Sequence, residues 1–181
     1  MSNYIFLWGT IILPWFTLPF LNRDEIKHYM PVALLGSLIA TIVAELAVSL
    51  DWWIVKDNIF PFHNIAPYIY GAFPVGIIWI FKFTKKHFVV FMLVNAAFDF
   101  VLSYFILRYT AQSGILAVPD LNSASLRLFM VCMTEAVILF FYQLWQEERV
   151  ILSSKHQASK IIPAPAYKRL SEEKDNRSDT E

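Results

Sequence analysis

The stretch FVVFMLVNAAFDFVLSYFIL, residues 88–107, decides how the chain reads. As one helix it rises about 30 Å, the thickness of a bilayer's hydrocarbon core. It nevertheless carries Asp99 near its middle, with Asn95 four residues before and Ser103 four residues after. That spacing puts all three polar side chains on nearly one helical face. A carboxyl group there has no water unless the protein supplies it, so the rest of the chain reads as walls around this stripe.

Composition agrees. The chain of 181 residues is 57% hydrophobic and 17% aromatic, where a soluble domain is nearer 45–50% apolar. Four further apolar runs accompany the first, at residues 4–21, 31–50, 66–81 and 126–145. The sequence therefore predicts an all-α integral membrane bundle of five transmembrane helices at 1–145, followed by a polar cytoplasmic tail at 146–181. The tail is rich in charge and ends in SEEKDNRSDTE, which predicts a disordered end. No basic stripe is interleaved with stacking aromatics, so nucleic acid is not an expected partner.

Each run has its own punctuation. Pro14 and Pro19 are expected to kink or end the first span, and Asn22–Tyr29 reads as a short polar turn. Pro31 suits the first turn of the second span. Residues 54–65 read as an aromatic, proline-bearing connection, interfacial or re-entrant. Pro67, Gly71, Pro74 and Gly76 make the third span irregular. Irregular backbone at membrane depth is tolerated only where protein covers it, so this span is expected inside the bundle. Residues 108–125 read as a polar loop.

Charge sets the expected orientation. With the N-terminus outside, Arg23, Lys27, Lys82, Lys85, Lys86 and the seven basic residues after position 146 face the cytoplasm, against Lys56, Arg108 and Arg127 outside. The positive-inside rule favours this arrangement and puts the C-terminus in the cytoplasm.

Glu45, Asp99 and Glu135 each fall within a span. A lipid-facing acid at a helix centre costs roughly 2.5–3.5 kcal/mol, so all three are expected to face inward. Asp99 lies about 12 Å from the outer boundary and Glu135 about 13.5 Å, a shared depth. Ser37, Thr41, Glu45 and Ser49 form a second stripe at four-residue spacing. Arg108 and Arg127, at the outer end, are the expected ion-pair partners, above all for Glu45. Without a cation, a buried carboxyl favours its neutral form. Asp99 and Glu135 are therefore expected to be at least partly neutral, sharing hydrogen bonds with Asn95 and each other. The candidate polar site is thus Glu45, Asn95, Asp99, Ser103 and Glu135. It serves as hydrogen-bonding posts for helix packing, as a proton, cation or substrate pathway, or as a partner-binding surface.

Motifs for soluble chemistry are absent: no Walker loop, no G-x-G-x-x-G, no H-E-x-x-H and no G-x-S-x-G. His63 has no second ligand at i+3 or i+4, so neither a metal nor another cofactor is expected. The single Cys132 cannot form an internal disulfide.

Ala44-Glu45-Leu46 before Trp52-Trp53, Pro67-Tyr68-Ile69-Tyr70-Gly71 leading to Trp79-Ile80-Phe81-Lys82-Phe83, and Asn95-Ala96-Ala97-Phe98-Asp99 together carry a resemblance. The chain resembles a family of small uncharacterised multi-pass membrane proteins of endospore-forming bacteria of the Bacillus and Clostridium type, over roughly residues 5–145. The resemblance implies a helical bundle in a bacterial cell membrane and supplies no activity and no site residues. The leading expectation is a non-enzymatic protein with structural or partner-binding work in the cell envelope, its partners being the lipid bilayer and a second copy or another membrane protein. The alternative is a small proton-linked transporter, or a transporter subunit, using the buried carboxylates.

Overall fold

The computed structural model describes residues 2–57, 67–84 and 87–161, with side chains placed for residues 3–57, 67–84 and 87–149. Most of the expected connection at 54–65, including His63, lies outside the described residues, as do Lys85, Lys86 and the tail beyond 161. Two compact units divide at Gln143 and Leu144.

Among its described residues the first unit is helical apart from one small ribbon and short connections. Helix α1, Ser2–Ile12, runs directly into a 3-10 helix, Leu13–Phe20. The two prolines do not end the span as a kinked α-helix would; they switch it to the tighter form. Pro14 and Pro19 lack the N–H that an α-ladder needs, and the i→i+3 pattern keeps the remaining groups bonded. The Thr17 hydroxyl donates to the Pro14 carbonyl at 2.6 Å.

Helix α2, Arg23–Ser49, begins eight residues before the expected first turn at Pro31. The stretch expected as a polar turn is its first two turns. The Asn22 N–H donates to the Glu25 carboxylate at 3.1 Å, and Asp24 and Glu25 complement the positive end of the helix dipole. Pro31 sits inside the helix. The chain then reverses through Asp51, in the left-handed region at φ 54. Strands β1, Ile54–Val55, and β2, Leu116–Ala117, pair antiparallel, an element the sequence reading did not contain.

A 3-10 turn at Pro67–Tyr70 leads into α3, Ala72–Thr84. Helix α4, Phe88–Phe100, continues through a π-helical segment, Val101–Ile106, into α5, Leu107–Gln112. Much of the expected loop after residue 107 is therefore helical. Helix α6 starts at Leu121, five residues before the expected span, and runs to Ile161. Four helical stretches are long and apolar enough to cross a membrane: Asn3–Phe20, Arg23–Ser49, Phe88–Gln112 and Leu121–Arg149; Ala72–Thr84 is apolar but shorter.

Two sets of contacts define the ends of the first unit. At one end the Asn3 side-chain amide donates to Asp57 Oδ2 at 3.0 Å and to the Ser113 carbonyl at 3.1 Å, beside the ribbon. At the other, Lys82 Nζ meets Glu25 Oε2 at 3.1 Å, joining the end of α3 to the start of α2. Helices α2 and α3 are thus antiparallel. Helix α3 buries Val75, Ile77, Ile78, Ile80 and Phe81. A ring cluster locks the Lys82 end: Phe91, 1% exposed, has its ring centroid 4.7 Å from Phe81 and 5.2 Å from Phe140. Ala47, Trp53, Leu107, Ala124, Leu128 and Cys132 form the core towards the ribbon.

The exterior is apolar. Ile5, Phe16, Leu38, Phe98, Phe105 and Phe141 are all exposed, an extent of apolar surface that marks a lipid or protein contact. In the second unit α6 continues from Leu144, and the Arg149 guanidinium lies 5.3 Å from the Trp145 ring centre.

Gly71 marks the closest backbone approach. A Cβ there would collide with the Thr10 carbonyl oxygen and the Ile11 backbone, neither of which can swing aside. Gly71→Ala is expected to lower stability in detergent unfolding by about 3 kcal/mol. Gly76→Ala, whose Cβ meets nothing within 4 Å, should stay within about 1 kcal/mol of wild type.

At the start of α6 the Ser123 hydroxyl donates to Asp120 at 2.5 Å and the Ser123 N–H at 3.2 Å. These two bonds hold the Asp120 carboxyl below its ordinary value of 3.8. A depressed folded-state value means this contribution is present above 3.8 and is lost as pH falls through the lower folded value. Protection of the amides of residues 121–124, taken as the ratio of intrinsic to observed exchange rate, should therefore fall at acid pH in the wild type and be lower at all pH values in Asp120→Ala.

Candidate functional site

Helices α3, α4 and α6 line a partly open cavity of about 210 Å³. Its wall is apolar through Ala72, Ile77, Ile80, Ala136 and Leu139, and polar at Tyr68, Asn95, Asp99 and Glu135. Asp99 is 8% exposed and Glu135 is 4% exposed. Cys132 lies in the same wall. The structure thus brings Asp99 and Glu135 to one cavity.

Their bonding differs from the expectation. Asp99 Oδ2 and Glu135 Oε1 have no hydrogen-bond partner among the described residues. Asn95 does not bridge them: its Nδ2 turns back to the Phe91 carbonyl at 3.1 Å, the bond available to a helical side chain four residues on. Ser103 is 0% exposed, and its hydroxyl is likewise without a partner among the described residues.

Why the stripe stays buried follows from the helix type. Residues four apart on an α-helix drift by about 40° per step. Asn95, Asp99, Ser103 and Leu107 should therefore wind off the core, yet Asp99, Ser103 and Leu107 are all buried. The π-helical segment Val101–Ile106 carries more residues per turn, so residues four apart return closer to one face.

Helix α2 shows the uncorrected case. Ser37 is buried, Thr41 half-buried, and Glu45 and Ser49 exposed. Glu45 is therefore not part of the buried site: the ideal α-helix rotates it away, while Ala44 and Ala47 take the buried face. The Thr41 and Ser49 hydroxyls donate to the Ser37 and Glu45 carbonyls, both at 2.8 Å. Nor do the expected cations reach a buried acid. Arg108 is exposed, and the exposed Arg127 guanidinium lies 5.6 Å from the Trp52 ring centre. Neither forms an ion pair with Glu45, Asp99 or Glu135 among the described residues.

Three features escaped the sequence reading. Gly36 lets α2 approach α3 and α6: a Cβ there would lie 2.5 Å from Ile77 Cδ1, 3.1 Å from Leu139 Cδ1 and 3.6 Å from Glu135 Oε1. Tyr68 lines the cavity and also a second one of about 240 Å³ towards the ribbon, with Ala72 and Leu102 shared between them. The π-helical segment is the third. A glycine amid Val32, Ala33 and Ser37 was a readable signal for close approach; the π turn had none.

Compared with known proteins, the chain matches no family model, no curated protein and no solved structure.

A packing post uses its hydrogen-bonding capacity, whereas these carboxyl oxygens do not. Apolar replacements of similar size should then be neutral or stabilising, because they remove a buried unsatisfied group. Asp99→Leu and Glu135→Met are expected to leave unfolding stability unchanged or to raise it by up to about 2 kcal/mol. A drop of that size in both would identify posts instead.

Proposed function

We propose that the chain is a non-enzymatic, multi-pass protein of a bacterial cell membrane that carries a small solute in exchange for, or together with, protons. It acts alone or as a carrier subunit, and Asp99 and Glu135 hold the proton. The observation that carries this reading is that Asp99 and Glu135 line one cavity, each with a fully buried carboxyl oxygen that has no hydrogen-bond partner among the described residues. Two acids in an apolar wall are unfavourable for the resting fold unless something exchanges there. This weighs against the purely structural role that the sequence put first.

Five crossings are the topology that fits best. Pro67–Thr84 combines four 3-10 residues with the 13 of α3. At the usual rise of each form it reaches about 28 Å, close to the hydrocarbon thickness. The Lys82–Glu25 pair and the Asn3–Asp57 bond lie at opposite ends, as they must if the N-terminus and ribbon are outside and the start of α2 is cytoplasmic. The basic residues of α2 and α3 support the same orientation.

The test is proton movement in proteoliposomes carrying an internal pH dye. Wild-type protein should dissipate an imposed pH gradient faster than lipid alone, and Asp99→Asn should lose at least tenfold of that excess rate. Equal rates in both, or no excess rate together with a lower melting temperature for the variant, would return the site to helix packing.

A further inference from the structure

We infer that the solute of this site is a lipophilic amine, an apolar body bearing one ammonium group, which reaches Asp99 and Glu135 sideways from the lipid between α3 and α4. The inference rests on the proton-linked reading of the carboxyl pair given above.

The cavity defines the ligand by what it lacks. Its wall offers two carboxyl groups, an amide, a phenol and a thiol in an otherwise apolar lining, and no cationic side chain. A positive charge to match the two carboxyl groups must therefore come from the ligand. A bare metal cation fits poorly, since hard cations take six or more oxygen ligands. An ammonium brings three donors to the carboxyl groups of Asp99 and Glu135, and its hydrocarbon body suits the remaining wall.

The route is also built into the packing. A groove lined by Leu13, Pro14, Phe20, Phe83 and Val94 runs along the outside of α3 and α4. Groove and cavity share Ala72, Gly76, Ile80 and Phe98 as a common wall. At Gly76 that wall has no side chain, and a Cβ there would meet nothing within 4 Å. Phe98, which lines both, is exposed. The thin point of the wall thus lies one helix turn from Ala72 and faces an apolar exterior. An apolar ammonium can cross there from the lipid interface without passing through a hydrated vestibule.

The full chain in lipid nanodiscs, measured by equilibrium binding of radiolabelled octylamine with empty discs subtracted, tests this. Octylamine should bind saturably, octanol at least tenfold more weakly, and octanoate not at all. Asp99→Asn and Gly76→Leu should each weaken octylamine binding at least tenfold, while Gly76→Ala binds as wild type. The Gly76 pair matters because a leucine there fills open space, so it blocks the passage without disturbing the fold. Wild-type binding by Gly76→Leu, or equal binding of octanol and octylamine, would overturn the inference. Proton flux that depends on Asp99 with no octylamine binding would overturn the ligand class and leave the proton site standing. Octylamine binding that depends on Asp99 without proton flux would uphold the amine site and remove transport.

Discussion

Keeping two carboxyl groups inside an apolar protein is the constraint on which the rest of this structure turns. One oxygen of each carboxyl, Asp99 Oδ2 and Glu135 Oε1, has no hydrogen-bond partner among the described residues to offset its burial. Each must be screened from the exterior by neighbouring helices, and each needs room. The room comes from small residues: Gly36 where α2 crosses in front of Glu135, and Ala72, Gly76 and Ala136 along the cavity wall. The screening comes from α3, whose short and irregular run is acceptable because its backbone is covered on most sides.

The same constraint explains the helix geometry around Asp99. A regular α-helix cannot keep a four-residue stripe on one face over three turns. The π-helical segment at Val101–Ile106 resets the phase, so Ser103 and Leu107 follow Asp99 into the interior. Such segments are rare and gather at functional sites. In α2 no such device exists, and Glu45 leaves the interior within two turns of Ser37. One helix was shaped to hold its acid inside, and the other was not.

The ends of the bundle are held by different chemistry. Towards the ribbon, backbone pairing and the Asn3 amide tie the N-terminus to two loops. Towards Lys82, a charged pair sits beside a cluster of rings centred on Phe91. The cavity is lined by residues of the segments between these clamps, among them Ala72, Ile77, Ala136 and Leu139.

What the sequence determined by itself was the class of object: apolar helices of bilayer length, acids at matched depths in residues 88–107 and 126–145, and prolines that disturb the first and third runs. Those follow from composition and spacing, which depend on nothing outside each segment. Helix starts at Arg23 and Leu121 were missed because capping by Asn22–Glu25 and Asp120–Ser123 outweighed the polar composition of the stretches that follow. Which acids turn inward was decided only by the tertiary structure. The facing of a side chain depends on accumulated helix phase and on which neighbour leaves space, and a spacing of four records neither. Hence Asp99 and Glu135 share a cavity while Glu45, with the same spacing on its own helix, does not.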